Sequence, residues 1–73
     1  MTAREWVEGF ASEIGLASPD KQQMDAILEL AAEAAHSSER TAAPIACWMA
    51  GISGRPLSEL TDAAKRVGPS TRP

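Results

Sequence analysis

Two side chains in this sequence have the chemistry of catalysts, His36 and Cys47. An imidazole can act as a general base, and a thiolate is a strong nucleophile. Each is the only residue of its type in the 73-residue chain. No nucleophile with an orienting acid stands at a known motif spacing from His36, and the apolar neighbours of Cys47 disfavour its thiolate. We therefore expect no catalytic residue, with Cys47 a buried inert thiol and His36 a residue that closes a helix.

Metal and phosphate sites are equally weakly indicated. One Cys and one His cannot complete the tetrahedral ligand set of zinc, so we expect no metal and no cofactor. The segment from Gly51 to Arg55 is rich in glycine, yet it lacks the Gly-Lys-Ser/Thr ending of a phosphate loop and a preceding strand. We interpret Gly51 as a point of close helix contact and Gly54 as a helix end.

A binding role for basic residues is the alternative hypothesis. His36, Arg40 and Arg55 can hold an anion, such as a phosphate or a pterin nucleotide, at a helix terminus. This hypothesis requires the three side chains to converge on one pocket.

Helix signals divide the chain into four segments, and no period-two alternation indicates a strand. We expect an all-α fold, a compact bundle of four short helices. Capping residues and glycines set the expected boundaries. The expected caps are Thr2, Ser18, Thr41 and Ser58, and the expected ends are Gly15, Ser37, Gly54 and Gly68.

The third of these helices is apolar in nearly every direction from Ile45 to Ile52. We expect it to lie at the centre of the bundle, to present a side to another chain, or both. The aromatic residues Trp6, Phe10 and Trp48 are expected to pack in the core. If one of them is half-exposed, Trp48 is the expected anchor for a partner.

Length and charge restrict the remaining possibilities. We expect one helical domain over residues 1–68, with residues 69–73 as a frayed tail. The net charge of −3 disfavours nucleic acid as a partner. Residues 1–39 hold eight acidic and two basic residues, whereas residues 40–73 hold five basic and two acidic ones. The two halves can therefore attract each other or a partner.

The predicted cellular location depends on features that the sequence lacks. The longest uncharged run, residues 41–54, is too short to cross a bilayer and contains Pro44. The N-terminus has no apolar core of a signal peptide, and a single cysteine forms no intrachain disulfide. We expect a cytoplasmic chain without a membrane partner.

Several landmarks together resemble a small, uncharacterised helical domain family of high-GC, actinobacterial-type bacteria. The resemblance covers residues 3–67, although Thr41 stands where proline is common and Trp48 lies in a stretch where Thr and Phe are commoner. The residues that carry it are Trp6, Gly15-Leu16, Ala35-His36, Arg40, Ala42-Ala43-Pro44 and Gly51.

This resemblance implies an accessory role. Members of the family occur alone or as C-terminal extensions of molybdenum cofactor guanylyltransferase-like domains. The catalytic fold of those enzymes, with a glycine-rich loop on a doubly wound sheet, is absent from this sequence. The family has no assigned catalytic residues, so the matches at His36, Arg40 and Pro44 indicate only a surface or corner that is shared with the family, and they imply no mechanism.

Our first hypothesis from the sequence is therefore a non-enzymatic protein-interaction module, associated with molybdopterin nucleotide chemistry. Its expected partner is another protein or a second copy in a homodimer. The candidate interaction residues are His36, Arg40, Pro44, Trp48 and Arg55.

Overall fold

A computed structural model describes residues 1–69 and contains four α-helices in that range. The described part of the chain has no strand, which confirms the expected all-α class. Apart from Pro69, the expected frayed tail lies outside the described residues. The helices are α1 (Ala3–Glu13), α2 (Lys21–Ser37), α3 (Ala42–Ser53) and α4 (Leu57–Val67).

Both ends of α1 form as the sequence predicts. The Glu5 amide donates to the Thr2 hydroxyl at 3.1 Å, and the Thr2 amide donates to the Glu5 carboxylate at 2.8 Å. At the other end Gly15 has a left-handed φ of 75°. The Leu16 amide donates to the Ala11 carbonyl at 2.8 Å, which closes a Schellman turn.

The start of α2 differs from the prediction, because Asp20 rather than Ser18 is the cap. The Gln23 amide donates to the Asp20 carboxylate at 2.7 Å, and the Asp20 amide donates to the Gln23 side chain at 2.9 Å. A carboxylate caps a helix as well as a hydroxyl does. Only Asp20 is followed three residues later by a side chain, that of Gln23, which can return the hydrogen bond and complete the capping box. Pro19 therefore precedes the helix, whose end at Ser37 is as predicted.

The start of α3 corrects a second expected cap. Thr41 precedes the helix but has helical backbone angles, and its side chain makes no capping hydrogen bond. The amides of Ala42 and Ala43 donate instead to the carbonyls of Glu39 and Arg40. Because Thr41 has already entered the helical region, its hydroxyl cannot reach the first amides as an extended cap residue does. The helix ends at Gly54, with φ 68°, as predicted.

The fourth helix begins one residue before the expected cap Ser58. Pro56 holds the cap position, and its carbonyl accepts from the amides of Glu59 and Leu60. Proline suits this position because it needs no hydrogen-bond partner for its own nitrogen. Gly68 ends the helix as predicted.

The centre of the fold is α2 and not α3. It packs against both α3 and α4, whereas α1 has no extensive contact with any other helix. Its Leu30 is buried. With 17 residues it is the longest of the four helices, so it offers the most length on which shorter helices can pack. The expectation of a central third helix is therefore wrong.

The resulting domain is elongated, with extents of 45 × 25 × 18 Å. Its radius of gyration is 13.4 Å, against about 11 Å for a compact chain of this length. Among the described residues only Ala11, Leu30 and Thr61 are buried. Much of the apolar side-chain surface therefore lies outside the core. No helix within residues 1–69 has the length and apolar character needed to cross a membrane.

Candidate interaction surface

The large apolar side chains of α3 face the solvent. Ile45, Trp48, Met49 and Ile52 stand at the i, i+3, i+4, i+7 spacing that places residues on one face of a helix. They are 60%, 68%, 60% and 64% exposed, respectively. We call these four residues the outer stripe.

The opposite side of α3 explains this orientation. The half-buried residues of α3 are all small, namely Ala42, Ala43, Ala46, Cys47 and Ala50. The Cys47 sulfur lies 4.0 Å from the carbonyl oxygen of Ile27 in α2. Small side chains let two helices approach closely, so α3 packs on α2 through them and leaves its larger residues outside.

A groove runs along the molecule between α3 and α4, above α2. Its volume is about 680 Å³. Glu33 lines it and accepts a hydrogen bond from the Ser37 hydroxyl at 3.4 Å. Its apolar walls, which define the groove from here on, are Leu30 and Ala34 of α2, Ala46, Met49 and Ala50 of α3, and Leu60, Ala64 and Val67 of α4.

A second exposed apolar face lies on α1. The rings of Trp6 and Phe10 stack with centroids 5.2 Å apart and planes inclined by 20°. Trp6 is 58% exposed, and Phe10 and Ile14 are each 51% exposed. The expectation that Trp6, Phe10 and Trp48 pack in the core is therefore wrong. Within the described chain, neither the Trp6–Phe10 face of α1 nor the outer side of α3 is covered by another helix.

The structure places the predicted site residues apart. His36, Arg40, Pro44, Trp48 and Arg55 are all exposed. Arg40 precedes α3 and Arg55 follows it, and a helix of 12 residues is about 18 Å long. Arg55 also donates to the Glu59 carboxylate. The three basic residues of the anion hypothesis therefore do not form one pocket, although His36, Arg40 and Pro44 do share the α2–α3 corner.

The same geometry separates the two candidate catalysts. Cys47 lies beside Ile27, which is nine residues before His36 and therefore about 13 Å away along α2. That is far beyond hydrogen-bond reach for a nucleophile and its base. Within residues 1–69 no group of three or more His, Cys, Asp or Glu side chains could hold a metal ion.

Sequence reasoning identified Trp48 but missed most of this surface. Ile45, Met49, Ile52 and the stacked pair on α1 were not among the candidate residues. The sequence does show that the large residues of α3 share one face and the small ones another, but nothing local marks which face meets the solvent. The groove depends on three helices and has no local signal.

Residues 1–71 match the model of a family described as Domain of unknown function (DUF6457). No curated protein and no solved structure matches the chain.

Proposed function

The chain belongs to the DUF6457 family, a domain of unknown function, and on that premise we propose that it is a non-enzymatic protein-interaction module. Its docking element is the outer stripe of α3. The observation that carries this proposal is the exposure of Trp48, Met49 and their two neighbours on one helix face.

Physical chemistry supports docking at such a face. Exposing a contiguous group of large apolar side chains to water is unfavourable, and soluble proteins keep such patches mainly where they bind something. Tryptophan is also the side chain most enriched among residues that dominate binding energies. Trp48 stands in the middle of the stripe, where a partner would surround it and exclude water.

The class of partner comes from the resemblance to the family of high-GC bacteria. Members fused to molybdenum cofactor guanylyltransferase-like domains support a role as an accessory to molybdopterin nucleotide chemistry in the cytoplasm. The proposed partner is therefore a guanylyltransferase-like domain with an apolar surface patch. Arg40 and Arg55 are exposed before and after α3, and Arg55 is paired with Glu59, so the proposed contact depends on the apolar stripe rather than on charge.

Titration calorimetry tests this proposal directly. The chain is titrated into a purified molybdenum cofactor guanylyltransferase-like domain from the same organism. We expect binding by the wild-type chain and a loss of at least about 30-fold in affinity for Trp48→Glu, since a charge cannot enter an apolar interface without its hydration.

Leu28→Glu is the matched control. Leu28 lies on α2 and is 63% exposed, so the variant introduces the same charge at an equally accessible apolar site. This site is outside the outer stripe and does not line the groove. Binding should be unchanged in this variant. Absence of binding by the wild-type chain would rule out the proposed partner. An equal loss of affinity in both variants would rule out the outer stripe as the docking element.

A further inference from the structure

We infer that the groove between α3 and α4 receives α1 from a second copy of this chain, so that two chains exchange their α1 helices reciprocally. The occupied surface differs from the outer stripe except at Met49, which borders both. The inference therefore goes beyond the proposed function and can fail or hold independently of it.

The exposed area of the chain is larger than that of a compact domain of the same mass. A compact monomer of 7.7 kDa exposes about 4,300 Å². This chain exposes 5795 Å², which leaves an excess of roughly 1,500 Å². A standard interface removes about 800 Å² from each partner. Reciprocal exchange buries both a groove and an α1 face on every chain, and the excess area is sufficient for that.

The shape of α1 fits the groove. The helices α1, α3 and α4 have 11, 12 and 11 residues, so each is about 16 to 18 Å long. Trp6, Phe10 and Ile14 recur every four residues and form one apolar ridge along α1. Alanines at positions 34, 46, 50 and 64 keep the groove open for such large side chains. An amphipathic helix in an apolar groove is a common mode of recognition.

Charge can orient α1 in the groove but does not favour its binding overall. The first helix holds Glu5, Glu8 and Glu13 against Arg4. The helix that forms one wall of the groove, α4, is balanced in charge, and Glu33 lines the groove. The basic residues of α4 are confined to its last turn, so attraction there contributes little affinity but sets the direction in which the acidic α1 would lie.

The chain's own α1 does not occupy the groove. The helix α2 packs extensively on α3 and α4 but not on α1, and Trp6, Phe10 and Ile14 stay more than half exposed. The Schellman turn fixes Leu16 to the end of α1, and the capping box fixes Asp20 to the start of α2, so both helix ends are closed in this position. The groove is therefore open to the α1 helix of a second copy.

Sedimentation velocity over a wide concentration range tests the exchange. The wild-type chain should sediment at twice its mass of 7.7 kDa. Phe10→Glu on α1 and Met49→Glu in the groove should each be monomeric, with dimerisation weakened at least about 30-fold. Both side chains are more than half exposed, so far-UV circular dichroism should show unchanged helix content.

Mixing the two variants distinguishes reciprocal exchange from other interfaces. The Phe10→Glu chain has an unaltered groove, and the Met49→Glu chain has an unaltered α1. The α1 helix of the Met49→Glu chain should therefore bind the groove of the Phe10→Glu chain, so the mixture should form a one-to-one heterodimer through this single helix. Trp48→Glu should remain dimeric while losing the guanylyltransferase-like partner, and Phe10→Glu should keep that partner. A monomeric wild-type chain, a dimeric Phe10→Glu chain, or a mixture that stays monomeric would overturn the inference.

Discussion

Single residues at the helix ends decide where each element begins. Thr2 and Asp20 each form a complete capping box, because a Glu or Gln stands three residues ahead to return the hydrogen bond. Thr41 and Pro56 occupy cap positions without any side-chain bond. The first two helices are therefore fixed by local hydrogen bonds, whereas the last two depend more on packing against α2.

At α2 the structure distinguishes two adjacent candidates for the cap. Asp20→Ala removes the acceptor for the Gln23 amide and should lower the free energy of unfolding by about 1 kcal/mol. Ser18→Ala should change it by less than about 0.5 kcal/mol, because the Ser18 hydroxyl only approaches the Pro19 carbonyl at 3.5 Å. Urea denaturation at one fixed protein concentration measures both. A larger loss at Ser18 would restore the boundary expected from the sequence.

At the scale of the elements, the sequence predicts where the helices lie better than it predicts which side of each helix is exposed to the solvent. All four helices and their four ends follow from caps, glycines and helical spacing, which are local signals. The facing of α3 does not, because an all-apolar helix has no polar side to mark the solvent. Its small residues pack on α2, which places Trp48 outside. The facing of α1 was mispredicted because amphipathic spacing shows that a helix has an apolar side, not which chain covers it.

Two glycines near the end of α3 should respond oppositely to the same substitution. Gly54→Ala should destabilise the fold by about 1 kcal/mol, because φ is 68° there and alanine is strained in that region. Gly51→Ala should stabilise it by about 0.5 to 1 kcal/mol, since Gly51 lies inside the helix and an added Cβ meets nothing within 4 Å. Thermal and urea unfolding measure both changes. Changes of the same sign would contradict the assigned end of α3.

For the whole molecule, the small core and the large exposed area have one physical origin. A chain of this length buries only about 60% of its unfolded surface even when compact, and here Ala11 and Leu30 are the only buried apolar residues among those described. The hydrophobic gain available to one chain is therefore limited, while the entropy cost of ordering its residues is not. Association of two chains buries additional apolar surface without a longer chain. The folding stability of each chain is then coupled to dimerisation.

This linkage predicts that thermal stability depends on protein concentration. If folded chains are held in reciprocal dimers that unfold to separate chains, a hundredfold dilution removes about 1.4 kcal/mol of stability per chain. For a domain of this size Tm should then fall by roughly 5 to 10 °C. Calorimetry at two concentrations measures the shift, and Phe10→Glu should abolish it while unfolding at a lower temperature than the wild-type chain. A wild-type Tm that is independent of concentration would mean that folding is not coupled to association, which would contradict reciprocal exchange of α1.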